Sequence, residues 1–166
     1  MADLDASTPR VFIARHGKFQ PAHEPSRSSN HHQGETEWTK NGRYTGSTEL
    51  ELTPDGIKQV QGTASHLVGA GKLIDPSRLA RVYVSPRKRA QQTFDLLFGG
   101  TSDLKIGDED GKGIARLEED ITEWDHGMYE GWLGNEIKAS RKERGVVGAN
   151  GEEEWSIWRD GCEEGE

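Results

Sequence analysis

The sequence has a single cysteine, Cys162, among its 166 residues. One thiol excludes a disulfide within the chain and a zinc site built mainly from cysteines. No apolar stretch approaches the roughly 20 residues that a membrane-spanning helix needs. Residues 1–9 are polar and acidic, which is not the composition of a signal peptide or an arginine-rich transit peptide. These absences predict a cytoplasmic protein with no membrane partner.

Basic residues are outnumbered, since 21 Lys and Arg stand against 29 Asp and Glu and leave a net charge of −8. A surface of this sign repels both the phosphates of nucleic acids and anionic lipids. We therefore expect no nucleic-acid partner, and a local cluster of basic residues becomes notable. A chain of 166 residues has room for one domain of ordinary size.

Short apolar runs and helix-start signals predict an α/β fold. Residues 11–14 and 79–84 are apolar runs typical of buried strands. Thr53-Pro54-Asp55 predicts a helix start, because threonine caps the first turn and proline fits its first position. Ser85-Pro86 predicts a second helix start, and residues 132–144 a weaker helix. Strand, helix, strand, helix implies parallel pairing, and we expect no clear strand after residue 84.

Two polar clusters follow the predicted strands. Arg15-His16-Gly17 ends the first one, at the strand end where α/β proteins place their sites. The alternative is a partly buried histidine beside a surface arginine. The second cluster, Arg87-Lys88-Arg89, puts three cations in the first turn of a helix, where the helix dipole disfavours them. An anion site explains that arrangement, because free N–H groups and guanidinium groups converge on one point.

A third cluster spans residues 121–131 and contains Glu123-Trp124-Asp125-His126. It is compatible with a polar loop anchored by aromatic rings. It is equally compatible with a carboxyl group held beside bulky side chains to act as a general acid.

In this order, the three clusters resemble the signatures of the histidine phosphatase (phosphoglycerate mutase-like) superfamily. The resemblance covers residues 10–166 apart from the segment after Gly17. Motifs at residues 34–38, 42–46, 123–124 and 158–162 are most similar to the fungal sedoheptulose-1,7-bisphosphatase branch. The resemblance implies a three-layer α/β/α fold whose C-terminal part is missing, so that residues 1–166 form a single, incomplete domain.

The resemblance also implies a mechanism. His16 attacks phosphorus and becomes a phosphohistidine, which water then hydrolyses. Arg15 and Arg87 hold the phosphoryl oxygens. Glu123 protonates the leaving sugar oxygen and later deprotonates water. No metal and no cofactor are required.

For the substrate, the resemblance implies a small phosphorylated sugar, with sedoheptulose 1,7-bisphosphate as one candidate. Tyr44, Thr45 and Gly46 are expected to line the pocket. Arg159 is a candidate for binding a second phosphate, and His126 stands where the branch tends to carry a tyrosine. The alternatives are a phosphoglycerate-type mutase and a non-catalytic phosphate-binding remnant.

Two departures from the family pattern support the alternative of a non-catalytic remnant. Deleting residues 17–33 would restore Arg-His-Gly-Glu-Thr-Glu-Trp, so we interpret residues 18–33 as an inserted disordered loop. The deleted stretch 17–33 has 17 residues, a whole number of codons, and Gly17-Lys18-Phe19 is a possible translation of a splice-donor consensus. Both observations favour a retained intron over a genuine surface insertion. The family's second active-site histidine has no counterpart in this chain, which predicts feeble activity.

Overall fold

The computed structural model describes residues 10–14, 17–18, 32–33, 35–99, 104–107, 113–146, 148 and 155–162. Within these ranges the chain forms four short strands and five α-helices: β1 (Gly17–Lys18), β2 (His32–Gln33), α1 (Glu37–Asn41), α2 (Pro54–Leu67), β3 (Val82–Val84), α3 (Lys88–Phe98), β4 (Ala115–Leu117), α4 (Gly134–Glu143) and α5 (Ile157–Asp160). No helix in the described ranges is long and apolar enough to cross a bilayer.

A parallel strand pair with a crossover helix forms one core. β3 and β4 pair in parallel, with Val84 opposite Leu117. α3 connects them and packs Phe94 and Phe98 against Val84 and the fully buried Ala115. α2 packs against α3 in turn. This arrangement confirms the α/β class, because two parallel strands joined through a helix form the basic α/β unit. The parallel pair is not the predicted one: the sequence predicted that the runs 11–14 and 79–84 pair, whereas β3 pairs with β4.

The start of α2 follows the predicted signals. Thr53 caps the helix by accepting a hydrogen bond at 3.0 Å from the amide of Gly56. The amide of Thr53 in turn donates to the carbonyl of Glu35 at 2.8 Å. Gly56 lies so close to the backbone of Glu35 that a Cβ atom there would collide with it. The first turn of α2 is therefore held against residues 35–36 by a hydrogen bond and by close packing.

The strand predictions are partly wrong. Residues 11–14 form no strand, and Val11 and Ile13 are 85% and 92% exposed. The physical reason is that an apolar run becomes a strand only where a neighbour supplies hydrogen bonds, and no described strand pairs with this one. The run at 79–84 shortens to β3. β4 was not expected, because its three residues follow a stretch rich in glycine and aspartate.

The helix predictions hold with shifted starts. α3 begins at Lys88 with Arg87 as its N-cap residue, so Ser85-Pro86 precedes the helix instead of opening it. α4 falls inside the predicted range 132–144. It packs Ile137 into a second core with Tyr129 and residues of the α5 region.

The ends of the predicted insertion lie beside each other. β1 and β2 pair antiparallel, with Gly17 opposite Gln33 and Lys18 opposite His32. The remainder of the segment 18–33, which we predicted to be a disordered loop, lies outside the described residues.

Candidate active site

Two of the predicted catalytic residues, Arg15 and His16, lie outside the described residues. The other predicted site residues are described, and several of them lie in or contact the loop 45–48, which is part of the connection between α1 and α2. This loop binds side chains from α3 on one side and from the segment 123–131 on the other.

Arg89 is the most deeply placed basic residue of the cluster at the start of α3, with 2% of its surface exposed. Its Nη1 donates to the carbonyl of Thr48 at 3.0 Å, and its Nη2 donates to the carbonyl of Gly46 at 3.0 Å. Both arms of the guanidinium therefore hold the backbone of the loop 45–48.

The charge of Arg89 also interacts with acidic residues of the site. Burial lowers the pKa of the Arg89 guanidinium, and the negative charges of Glu123, Glu49 and Glu130 act in the opposite direction. A buried cation among these carboxylates stays charged and presents a positive centre to the site. The sequence reasoning named Arg87 and missed Arg89. The basic cluster was visible, but nothing in its spacing showed which arginine faces inward.

Arg87 lies nearer the surface, with 24% of its side chain exposed. Its Nη1 donates to the carbonyl of Ser47 and to Oε1 of Glu49, both at 3.1 Å. Its Nε is buried and has no hydrogen-bond partner among the described residues. Arg87 is thus bound both to the loop 45–48 and to a carboxylate.

Glu49 also accepts a hydrogen bond at 2.7 Å from the amide of Lys88, at the first turn of α3. This amide bond, followed by the hydrogen bond and charge of Arg87, lowers the pKa of the Glu49 carboxyl. A carboxylate of the chain itself therefore lies at the start of α3, and the predicted phosphate site there stays a prediction.

Glu123, the predicted general acid, is half-buried. The amide of Trp124 donates to its Oε1 at 3.3 Å. Trp124 in turn places its carbonyl against Gly46, so close that any Cβ atom at position 46 would overlap it. The predicted acid and the predicted pocket residue Gly46 are thereby brought together.

Tyr44 and His126 contact each other edge to face, with ring centroids 5.3 Å apart. His126 is buried, and its Nδ1 lies 3.9 Å from the sulfur of Cys162. Burial raises the pKa of the Tyr44 hydroxyl, and the Cys162 charge adds to that effect. Thr45 points its hydroxyl to the carbonyl of Arg43, at 3.2 Å.

Arg159 lies across a cavity of about 620 Å³ from these residues, and Tyr44 and Lys138 line the same cavity. Its Nε and Nη2 donate to the two carboxylate oxygens of Asp160, each at 3.1 Å. The structure therefore connects Arg159 with Tyr44 through one cavity, His126 packs against Tyr44, and Arg87 binds the loop 45–48.

A half-buried carboxylate, Glu123, whose charge acts on the buried Arg89 is an arrangement compatible with phosphoryl chemistry. Residues 32–161 match the histidine phosphatase superfamily (branch 1), and the chain belongs to this superfamily. The matched residues begin after Arg15 and His16.

Two curated relatives and one solved structure illustrate the similarity. Sedoheptulose 1,7-bisphosphatase of Saccharomyces cerevisiae is 38% identical over 98% of this chain and 51% of its own length. An acid phosphatase of Mycobacterium tuberculosis is 35% identical over 80% of this chain and 51% of its own length. The chain thus spans about half the length of these relatives. A solved structure of an open-reading-frame product from M. tuberculosis has a TM-score of 0.55 at 29% identity and covers 81% of this chain and 54% of its own.

Proposed function

We propose that this chain acts as a phosphatase that hydrolyses the phosphate ester of a small sugar through a phosphohistidine at His16. The observation that carries the proposal is the buried Arg89, which grips the loop at Gly46 and whose charge attracts Glu123. A fixed cation next to a carboxylate matches what phosphoryl transfer needs, namely charge stabilisation beside a proton donor. The superfamily and the two phosphatase-named relatives support the same chemistry.

In the first step, a ring nitrogen of His16 attacks phosphorus and forms a P–N bond. The bond between phosphorus and the sugar oxygen breaks, and its electron pair stays on that oxygen. Protonated Glu123 gives this oxygen its proton, so the sugar leaves as an alcohol. Arg15 and Arg87 bind the phosphoryl oxygens, and Arg89 supplies positive charge behind them.

In the second step, water replaces the sugar. The Glu123 carboxylate takes a proton from the water, and the water oxygen attacks phosphorus. The P–N bond breaks, its electron pair returns to the His16 ring, and inorganic phosphate leaves. The sum of both steps is ester plus water giving sugar plus phosphate, with no cofactor consumed.

For the substrate, we propose a sugar carrying two phosphates, with sedoheptulose 1,7-bisphosphate as the specific candidate. The yeast relative supports this candidate by its name. The cavity that Arg159 and Lys138 line next to Tyr44 supports it by its charge, because a second phosphate needs a second cationic pocket. Arg159, which Asp160 holds by two hydrogen bonds, would then contribute positive charge to the binding of that phosphate.

The test is to incubate the chain with sugar bisphosphates labelled with ³²P and to isolate the protein. The expected result is label on His16 that is released by acid and kept in alkali, and that is absent from His16→Ala. Analysis of the products separates the chemistries, since free phosphate indicates hydrolysis and an isomeric ester indicates a mutase. Label that persists in His16→Ala, or no label with any sugar phosphate, would contradict the proposal.

A further inference from the structure

Glu130 is a second side chain that holds the loop 45–48, in addition to the arginines. The amide of Gly46 donates to both carboxylate oxygens of Glu130, at 3.0 and 2.9 Å. The amide of Thr48 donates to its Oε1 at 2.9 Å. One carboxylate therefore satisfies two backbone donors of the loop, in hydrogen bonds that its charge strengthens.

The carbonyls of the same two residues have a different partner. Gly46 and Thr48 each accept a hydrogen bond from Arg89, at 3.0 Å. Each of these residues is thus bound through its N–H to Glu130 and through its C=O to Arg89. The loop is therefore held by both Glu130 and Arg89, so a displacement of either side chain alters the hydrogen bonds that the other makes with the loop.

We infer that Glu130 is a positioning residue of the active site: it fixes the loop 45–48 and, through the loop carbonyls, the guanidinium of Arg89 relative to Glu123. The consequence for catalysis rests on the proposed function. The geometric part does not, because it concerns hydrogen bonds within this chain. The negative charges of Glu123 and Glu130 both act on Arg89, so the position of Arg89 determines the strength of its electrostatic interaction with the predicted acid.

The surroundings of Glu130 make it a clean target for substitution. A cavity of about 520 Å³ borders it, lined also by Trp38, Trp132 and Glu136. A change at position 130 therefore removes hydrogen bonds without deleting a side chain from either apolar core. Glu130→Gln preserves the shape but presents an N–H₂ group to backbone donors, and Glu130→Asp keeps the charge on a shorter arm.

Glu136 provides the matched control, because it borders the same cavity and also accepts a backbone hydrogen bond. Its Oε2 accepts from the amide of Leu133 at 2.8 Å and lies 3.7 Å from Nη1 of Arg43. Glu136→Gln alters the same charge in the same cavity without touching the loop 45–48. A general effect of lost charge or lost stability would appear in both variants.

The first measurement is amide hydrogen exchange by NMR at Gly46 and Thr48, together with the Nε–H signal of Arg89. Loss of a charge-assisted hydrogen bond corresponds to about tenfold faster exchange. We expect that change and a shifted Arg89 signal in Glu130→Gln, an intermediate change in Glu130→Asp, and less than about twofold change in Glu136→Gln. Unchanged exchange and an unchanged Arg89 signal in Glu130→Gln would overturn the inference.

The second measurement is the affinity for inorganic phosphate and, with a hydrolysed ester, kcat and KM separately. We expect Glu130→Gln to weaken phosphate binding about tenfold and to lower kcat more than it raises KM. Faster exchange with unaltered phosphate affinity and kcat would overturn the catalytic part. If the parent chain neither binds phosphate nor labels His16, the proposed function fails, and the exchange rates with the Arg89 signal alone decide whether Glu130 positions the loop.

Discussion

The carbonyl oxygen of Trp124 occupies the space that a side chain at Gly46 would need. A methyl group there would have to push backbone against backbone, and neither side is a flexible side chain. We predict that Gly46→Ala lowers the free energy of unfolding by about 2 kcal/mol, the usual cost of overpacking. It should also separate the loop 45–48 from Glu123. Urea unfolding monitored by circular dichroism measures the stability change.

Gly62 in α2 provides the opposite case. No heavy atom lies within 4 Å of a Cβ atom built on it, and the position is exposed. Because alanine favours helix over glycine, Gly62→Ala should raise the free energy of unfolding by about 0.5–1 kcal/mol. If both variants lose stability equally, the close approach of Trp124 to Gly46 is not the cause.

Arg89 and Arg87 should differ in their tolerance of lysine. The guanidinium of Arg89 reaches the carbonyls of Gly46 and Thr48 with separate nitrogens, which a single ammonium does not reproduce. One buried carbonyl loses its partner, so Arg89→Lys should cost about 1–3 kcal/mol. Arg87→Lys alters a more exposed ion pair and should cost less than about 1 kcal/mol. Equal melting temperatures for the two variants would contradict this ranking.

Stability should decline on the alkaline side because of Cys162 and Tyr44. Burial raises the pKa of both groups from ordinary values of 9.0 and 10.0. As the pH rises through those ordinary values, the unfolded chain loses protons that the folded chain still holds, so unfolding becomes more favourable. The contribution is complete below about pH 8.5 and is lost as the pH passes the folded pKa values.

The measurement is urea unfolding at several pH values between 8 and 11, on the parent chain and on Cys162→Ser with Tyr44→Phe. The double variant removes both ionisations and should show a flatter pH dependence. The rate of alkylation of Cys162 against pH reports the pKa of that thiol directly. Equal slopes in both proteins would show that these two groups do not titrate as their burial predicts.

Removal of residues 17–33 should leave the fold intact. Gly17 and Gln33 are paired across β1 and β2, so the chain enters and leaves the segment at neighbouring points. Loop length itself changes the free energy of folding only slightly. We predict that the deletion variant keeps the circular dichroism spectrum of the parent and its melting temperature to within about 5 °C. A loss of cooperative unfolding would show that the segment is part of the core, and the full-length transcript decides whether it is a retained intron.

The sequence predicted those features that depend on local chemistry. The start of α2 required only a threonine cap and a proline, and both act within one turn. The failures depend on distant partners. Residues 11–14 have the composition of a strand, while β4 becomes one because β3 lies beside it. The composition of a segment indicates its strand propensity, whereas strand formation also requires a neighbouring strand that pairs with it.

The same distinction applies to the site. The basic cluster and Glu123 were found because their residue types are unusual where they stand. Glu130 was not found, because its partners are backbone amides. Since every residue except proline has such an amide, no residue type in the sequence indicates the contact. Arg87 and Arg89 both bind the loop 45–48, and only the packing around the start of α3 shows that Arg89 is the buried one.

Glu130 and the two arginines bind the loop 45–48 through main-chain atoms, at Gly46, Ser47 and Thr48. Every residue type except proline carries the same amide and carbonyl groups. Substitutions at positions 47 and 48 should therefore hardly change the hydrogen bonds to Glu130 and the arginines. At position 46, the close carbonyl of Trp124 disfavours every side chain. A library randomised at these three codons should yield active clones that vary freely at positions 47 and 48. The backbone conformation of this loop therefore depends little on the side chains at those two positions.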